Sequence, residues 1–295
     1  MERKILVIGA TGLLGSIIYQ KFQISHEVYG TYFNAREDID KDLIFLDATE
    51  FTQLSNLIME ISPDVIINCM GLTSVELCEK RPEACWKLNT EIPMRLAQIS
   101  NSMKLRLIHI SSDHFASAKK MPRKESDIVF PINQYGYSKF QAEKFVNKYD
   151  PNALILRTNF FARARHGGKS LLDFAISSLN SCRVVTGFED VLFSPVGARE
   201  IANFLLDYRS SSISGILNLA SKEVISKFEF LTLVSKILGR EGTRVVPGSI
   251  TSSNLSVIRP NYLALDSCYL IDQLGYELPS LEQMLRAEMS SSYLG

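Results

Sequence analysis

The sequence offers little that suits a metal, a disulfide framework or a polyanion. Its five cysteines (Cys69, Cys78, Cys85, Cys182 and Cys268) form no C-x-x-C pair and no metal-ligand spacing. No zinc site and no disulfide scaffold are therefore expected. The four histidines, at 26, 109, 114 and 166, show no metal-like spacing either, and His109 falls inside a strand pattern as a core or site-edge residue. Formal net charge is +0, from 32 basic and 32 acidic side chains, which argues against a nucleic-acid or anionic-membrane surface. No apolar run is long enough to span a bilayer, and the N-terminal one is broken by glycines, unlike a signal h-region. No membrane insertion is expected, and scattered, reduced thiols suit the cytoplasm. Repeats and low-complexity tracts are also missing.

What remains is a chain of 295 residues, 46% hydrophobic and 22% charged. That is enough for one large α/β unit, or a main domain with a smaller partner. Strand-like runs at 4–8, 27–32, 43–46, 65–68, 106–111 and 153–158 alternate with helical spacing at 13–22, 51–61, 82–103 and 134–148. Such alternation predicts a Rossmann-type, doubly wound parallel sheet. After Thr158 the alternation fades, and 162–169 and 188–195 read as loops. Helical spacing returns at 170–180, 198–208, 227–238 and 281–289, with a short strand at 215–219. We therefore expect a dinucleotide-binding domain over 1–158 and a smaller C-terminal substrate-binding lobe over 159–295, part of which returns to the sheet.

Two constellations carry chemistry. Gly9-Ala10-Thr11-Gly12-Leu13-Leu14-Gly15 joins the first strand to the first helix, with glycines three apart. A turn of this kind brings backbone N–H groups and the positive end of a helix dipole to one point, where a pyrophosphate can sit. Gly9 permits the turn, Gly12 admits the phosphate, and Gly15 lets helix and strand close up. The second is Tyr135-Gly136-Tyr137-Ser138-Lys139, which puts Tyr135 and Lys139 on one helical face. A phenol titrating near 10 is a poor acid at neutral pH unless a cation beside it stabilises the phenolate. Ile110-Ser111-Ser112-Asp113 precedes this pair at a distance suited to a Ser–Tyr–Lys set.

Together these residues resemble the extended short-chain dehydrogenase/reductase family, and within it the dTDP-4-dehydrorhamnose reductase group. The likeness also includes Pro63-Asp64-Val65-Ile66-Ile67-Asn68, Leu156-Arg157-Thr158, Ser194-Pro195, Arg259-Pro260-Asn261-Tyr262-Leu263, Leu265-Asp266 and Leu278-Pro279. It implies Tyr135 as general acid, Lys139 tuning it while holding the nicotinamide ribose, and Ser112 hydrogen-bonding the reacting sugar oxygen. It implies NADP or NAD as cofactor, bound by Gly9, Thr11, Gly12, Leu13, Leu14, Gly15, Asp47, Asn68, Met70 and Gly71 together with Tyr135 and Lys139. Asn89 matches an asparagine that supports the lysine. Asp113, Asn159, Ser194 and Arg259 fall on the substrate side, where a guanidinium suits a pyrophosphate. No metal is implied.

The bland readings stand beside these. Asp47 is equally a helix cap after a strand, Asn68 and Asn89 are equally turn-bonding residues, and Ser111 and Arg157 read as structural. The second strand ends in Tyr32-Phe33-Asn34-Ala35-Arg36 with no acid before Glu37. NADPH should therefore be accepted at least as well as NADH, with Arg36 on the 2′-phosphate. The chain departs from the family at Asp113-His114-Phe115-Ala116-Ser117, where an aromatic-acid-glycine pattern is usual. The expected partner is a nucleotide-sugar substrate, and homodimerisation is left open. The expected reaction is reduction of a 4-keto nucleoside-diphosphate deoxysugar. The alternatives are an epimerase or dehydratase of the superfamily, or a non-catalytic NADP-binding regulatory subunit of the methionine adenosyltransferase kind.

Overall fold

A computed structural model of the chain describes residues 3–34, 40–117, 120–164, 170–181, 184–208, 213–240 and 244–290. The chain forms two compact units, Met1–Ser112 with Asn133–Arg157 and Ala202–Leu217, and Asp113–Ile132 with Thr158–Ile201 and Asn218–Gly295.

The first unit is a Rossmann-like α/β sheet. Strands β1 (Lys4–Ile8), β2 (Glu27–Tyr32), β3 (Ile44–Phe45), β4 (Val65–Asn68), β5 (Arg106–Ile110) and β6 (Leu154–Arg157) join the strand Gly215–Asn218. The order is Gly215–Asn218, β6, β5, β4, β1, β2, β3, and every pair from β6 to β3 is parallel. The order reverses between β1 and β4, so the carboxyl ends of these strands border the crevice where ligands bind in such sheets. Helices α1 (Leu13–Gln23), α2 (Phe51–Ile61), α3 (Val75–Lys80), α4 (Pro82–Trp86), α5 (Ile92–Met103) and α6 (Gln134–Tyr149) flank it. Alternation in the strands sends Leu6, Ile8, Ile66, Leu107 and Ile155 into one core with Leu54 and Ile58 of α2, Leu96 of α5 and Val146 of α6.

The bounds of β1, β2, β4 and α2 are those the hydrophobic pattern predicts. The single helix expected over 82–103 is instead two helices joined by a π-helical turn, Lys87–Glu91. Pro93 explains the turn, because it has no N–H for the carbonyl four residues back and its ring needs room there. Helix α3 starts at N-cap Ser74, which accepts a hydrogen bond from the Leu77 N–H.

The second unit carries α7 (Leu171–Ser181), α9 (Lys227–Ile237) and α10 (Leu281–Ser290). Helix α8 (Ala198–Tyr208) precedes α9 in the chain. Three strand pairs accompany them: Phe160–Phe161 with Val196–Gly197, Leu192–Phe193 with Ile225–Ser226, and Val184–Phe188 with Arg244–Gly248. The stretch 188–195 is thus not simply a loop. Strands of two residues are too short to show a period of two, so their pattern was invisible. Helix α9 opens with a complete capping box, Ser226 and Glu229 each bonding the other's backbone N–H. Among the described residues, no helix is long and apolar enough to cross a membrane.

Candidate functional site

The glycine turn follows β1. Gly9 has φ +84°, and a Cβ there would sit 3.1 Å from the Met70 nitrogen. A Cβ on Gly15 would fall 2.1 Å from the Gly9 carbonyl oxygen, so only glycine lets α1 approach β1 this closely. Gly12 differs: at φ −72° and ψ 164° its backbone is open to any residue, and an added Cβ meets only the Gly9 oxygen at 3.3 Å. The Gly9 N–H donates to Thr31 Oγ1 at 3.2 Å and the Ala10 N–H to the Thr31 carbonyl at 2.8 Å, fixing the turn to β2.

Gly12 is the N-cap of α1 and brings no side-chain cap, and the first turn holds no acid. The backbone N–H groups of Leu13, Leu14 and Gly15 therefore end the helix as anion donors. Leu14 is buried, so it can contribute only its backbone; Thr11 and Leu13 are half-buried. This cradle fits a dinucleotide pyrophosphate. Arg36 lies outside the described residues.

The other expected cofactor residues are occupied locally. Asn68, fully buried at the end of β4, accepts from the Met70 N–H at 3.2 Å and meets His109 Nδ1 at 3.1 Å through its amide nitrogen. His109 is a neutral core histidine, its pKa held well below the usual value by burial and then by Lys139. Asp47 Oδ1 accepts from the Thr49 N–H at 2.9 Å and its hydroxyl at 2.6 Å, while the N-cap of α2 is Glu50. Asn89, in the π turn, accepts from the Leu72 N–H at 2.7 Å and donates to the Leu72 carbonyl at 3.0 Å and Ser138 Oγ at 3.0 Å. It thus clamps the segment after Met70-Gly71, and a Cβ on Gly71 would approach its Oδ1 at 3.0 Å.

Ser111 and Ser112 follow β5, both less than a tenth exposed. Lys139 is buried, and its Nζ donates to the Ile110 carbonyl at 2.6 Å, which brings the ammonium to the carboxyl end of the strand that leads into Ser112. Burial lowers its pKa to about 8, opposed chiefly by the Glu143 carboxylate. Tyr135, one turn earlier on the same face, is half-buried. Asn133 caps this helix by accepting the Gly136 N–H at 2.8 Å.

Below Lys139 lies a buried set that sequence reasoning only half found. Glu143 accepts from Arg157 through Nε (2.9 Å) and an NH2 group (2.7 Å) and from Ser111 Oγ at 2.6 Å. Arg157 and Ser111 are structural, as read, but Glu143 was missed. Its signal was present: Tyr135, Lys139 and Glu143 are each four residues apart, one polar stripe on a helix whose neighbouring face is core. Cys85 also touches this region, its thiol held down to about 7 by the Cys78 thiol and donating to Ser138 Oγ at 3.3 Å.

The second unit holds the residues expected on the substrate side. Asp113 Oδ2 accepts from Asn159 Nδ2 at 2.5 Å, and burial raises the pKa of its carboxyl. Arg123, fully buried, donates to the carbonyls of Asp113 (2.6 Å), Phe115 (2.8 Å), Tyr262 (2.6 Å) and Leu263 (3.2 Å). It thereby shapes the 113–117 segment where the family pattern is lost. His114 is pushed down to about 4 by burial and then by Arg259, Arg123 and Lys227. The Lys227 ammonium lies 3.2 Å from the Phe193 ring centroid, and burial lowers its pKa to about 7 against the pull of Asp113. Nothing in the sequence singled out Arg123 or Lys227. Ser194 is 1% exposed and exchanges hydrogen bonds of 3.3 Å with the Leu265 backbone, which leaves it a structural bridge. Arg259 is half-buried. Among the described residues, no group of three or more His, Cys, Asp or Glu could hold a metal ion.

The chain is similar to several known proteins. The probable low-salt glycan biosynthesis reductase Agl14 of Haloferax volcanii is 30% identical over 286 residues, 95% of each chain. Methionine adenosyltransferase 2 subunit beta of Rattus norvegicus is 27% identical, covering 93% of this chain and 83% of its own. The crystal structure of dTDP-4-dehydrorhamnose reductase from Bacillus anthracis, in complex with NADP, shares the fold with a TM-score of 0.87 at 23% identity, covering 98% and 99% of the two chains. The family described as the RmlD substrate binding domain matches residues 3–293, and to that family, within the extended short-chain dehydrogenase/reductases, this chain belongs.

Proposed function

We propose that the chain is an NADP(H)-dependent reductase of a 4-keto nucleoside-diphosphate deoxysugar. One observation carries the reading: the Lys139 ammonium is bonded at the carboxyl end of β5, on the helix face it shares with Tyr135 and beside the strand that leads into Ser112. The same unit contains an uncapped helix N-terminus behind a glycine turn. The reductases among the relatives support the reaction class, and the cradle at Gly12 fits the cofactor.

The nicotinamide, when bound, supplies the hydride. Leu13, Leu14 and Gly15 would hold the pyrophosphate with backbone N–H groups, and Lys139 the adjoining ribose. Ser112 orients the carbonyl oxygen and polarises it, so positioning contributes part of the rate. Tyr135 donates its phenolic proton to that oxygen, and the Lys139 charge stabilises the phenolate that remains. Asp113, Asn159 and Arg259 belong to the sugar-nucleotide side. β2 ends without an acid at Tyr32-Phe33-Asn34, which favours NADPH at least as much as NADH.

The test is net NADPH oxidation against a panel of 4-keto nucleotide sugars, each with a Tyr135→Phe control. Turnover that the phenylalanine abolishes supports the reading. Interconversion of sugars without net NADPH loss would make the chain an epimerase. Tight NADPH binding without turnover of any sugar would favour a binding role like that suggested by the methionine adenosyltransferase subunit.

A further inference from the structure

Glu143 is a carboxylate 3% exposed, gripped by groups from two strands. Ser111 Oγ reaches it from the end of β5 at 2.6 Å, and Arg157 from the end of β6 through two nitrogens. Glu143 itself stands one helical turn beyond Lys139, whose amine is tied to Ile110. We propose that Glu143 is a positioning residue: its carboxylate locks the ends of β5 and β6 to the helix bearing Tyr135 and Lys139, and sets the electrostatic surroundings of the Lys139 amine. Its importance for turnover rests on the reductase reading; its effect on Lys139 does not.

The geometry explains why one residue serves both ends. Ser112 takes its place from Ser111, which cannot shift without losing a charge-assisted hydrogen bond. Tyr135 and Lys139 take theirs from α6, which Glu143 pins to the same strand end. A buried amine tends to shed its proton, and a carboxylate one helical turn away opposes that. The titratable groups around Lys139 are Tyr135 and Glu143 from its own helix face, His109 from β5, Cys69 after β4 and Cys85 from α4. His109 is neutral, and burial pushes the Cys69 thiol up to about 12. Of the groups that oppose the loss of the Lys139 proton, Glu143 has the largest effect.

The experiment titrates Lys139 in the cofactor-free full chain by NMR of ¹³Cε-labelled lysine, with the signal assigned by Lys139→Arg. The wild-type midpoint should lie near 8. Glu143→Gln should lower it by ~1 unit or more, and Cys85→Ser should change it less. Because Glu143→Gln leaves a buried guanidinium half-paired, Glu143→Gln/Arg157→Met offers a neutral pair, and it too should lower the midpoint. A midpoint in both variants that coincides with wild type overturns the electrostatic part. The mechanical part is read from Ser111→Ala, which leaves every charge in place. It should retain NADPH affinity, lose ~10-fold in kcat on the keto-sugar, and keep the wild-type basic limb of the pH profile. Undiminished kcat overturns it. A wild type that turns over no keto-sugar defeats the reductase reading, while the lysine titration still decides what Glu143 does to Lys139.

Discussion

At the scale of single residues, the glycine turn and the tyrosine give opposed kinds of test. Tyr135→Phe removes one hydroxyl and keeps the ring, so NADPH affinity should hold while kcat falls ~10²–10⁴-fold, the usual cost of a lost general acid. Lys139→Met should weaken both NADPH binding and turnover, and Ser112→Ala should cost less than either. Isothermal titration beside steady-state kinetics separates these outcomes; a Tyr135→Phe enzyme with native kcat would overturn the assignment. Among the glycines, Gly12→Val should fold, since its φ is ordinary and its nearest obstacle lies at 3.3 Å, yet bind NADPH poorly. Gly15→Ala drives a methyl into the Gly9 carbonyl and should lower Tm whether or not cofactor is present. Equal NADPH affinity in Gly12→Val and wild type would remove Gly12 from the phosphate site.

At the scale of elements, α10 makes the second unit pH-sensitive. Glu288 is 1% exposed, accepts from the Arg199 N–H at 3.0 Å, and lies 3.8 Å from the Arg199 guanidinium. Burial pushes its carboxyl from 4.5 up to about 7. The folded protein then holds this proton at pH values where the unfolded chain has lost it. The contribution is complete below about 4.5 and lost as pH rises through about 7. Glu288→Gln should therefore gain Tm relative to wild type at pH 8 and lose that advantage near pH 5. Thermal melts across this range check the sign. Strands β1 and β4 were legible from the sequence as short continuous apolar runs buried on both faces, and α2 because one buried face spaces Leu54, Ile58 and Ile61. The π turn was not, since Pro93 is compatible with the first turn of a new helix as well as with a bulge. Glu143 was legible only as the third member of a polar stripe on α6, because a buried acid and a solvated one look alike until the partners on β5 and β6 are known. The strand, glycine turn and helix of 4–23 were readable because they are local in the chain; the Asp113–Arg123 cluster was not, because its partners lie far apart in the chain.

At the scale of the whole molecule, a ligand that binds only the folded state raises its stability by mass action. NADPH at 100 times its Kd should add ~2.7 kcal/mol, visible as a concentration-dependent Tm, and an unmoved Tm would contradict the proposed cofactor. The order in which the chain visits its two units has a further consequence, for synthesis. The sheet is complete only when the strand Gly215–Asn218 has been added beside β6, and Arg106 finds its partner carbonyl at Ile213 only then. Residues 113–132 must likewise wait for segments beyond 158. A ribosome that has delivered residue 158 has finished neither unit, and the nascent sheet would present β6 as a bare edge, open to pairing with another chain. A fragment of residues 1–158 should therefore aggregate, whereas residues 1–218 should stay in solution longer, and co-translational chaperones should engage this protein most over the stretch between those two lengths.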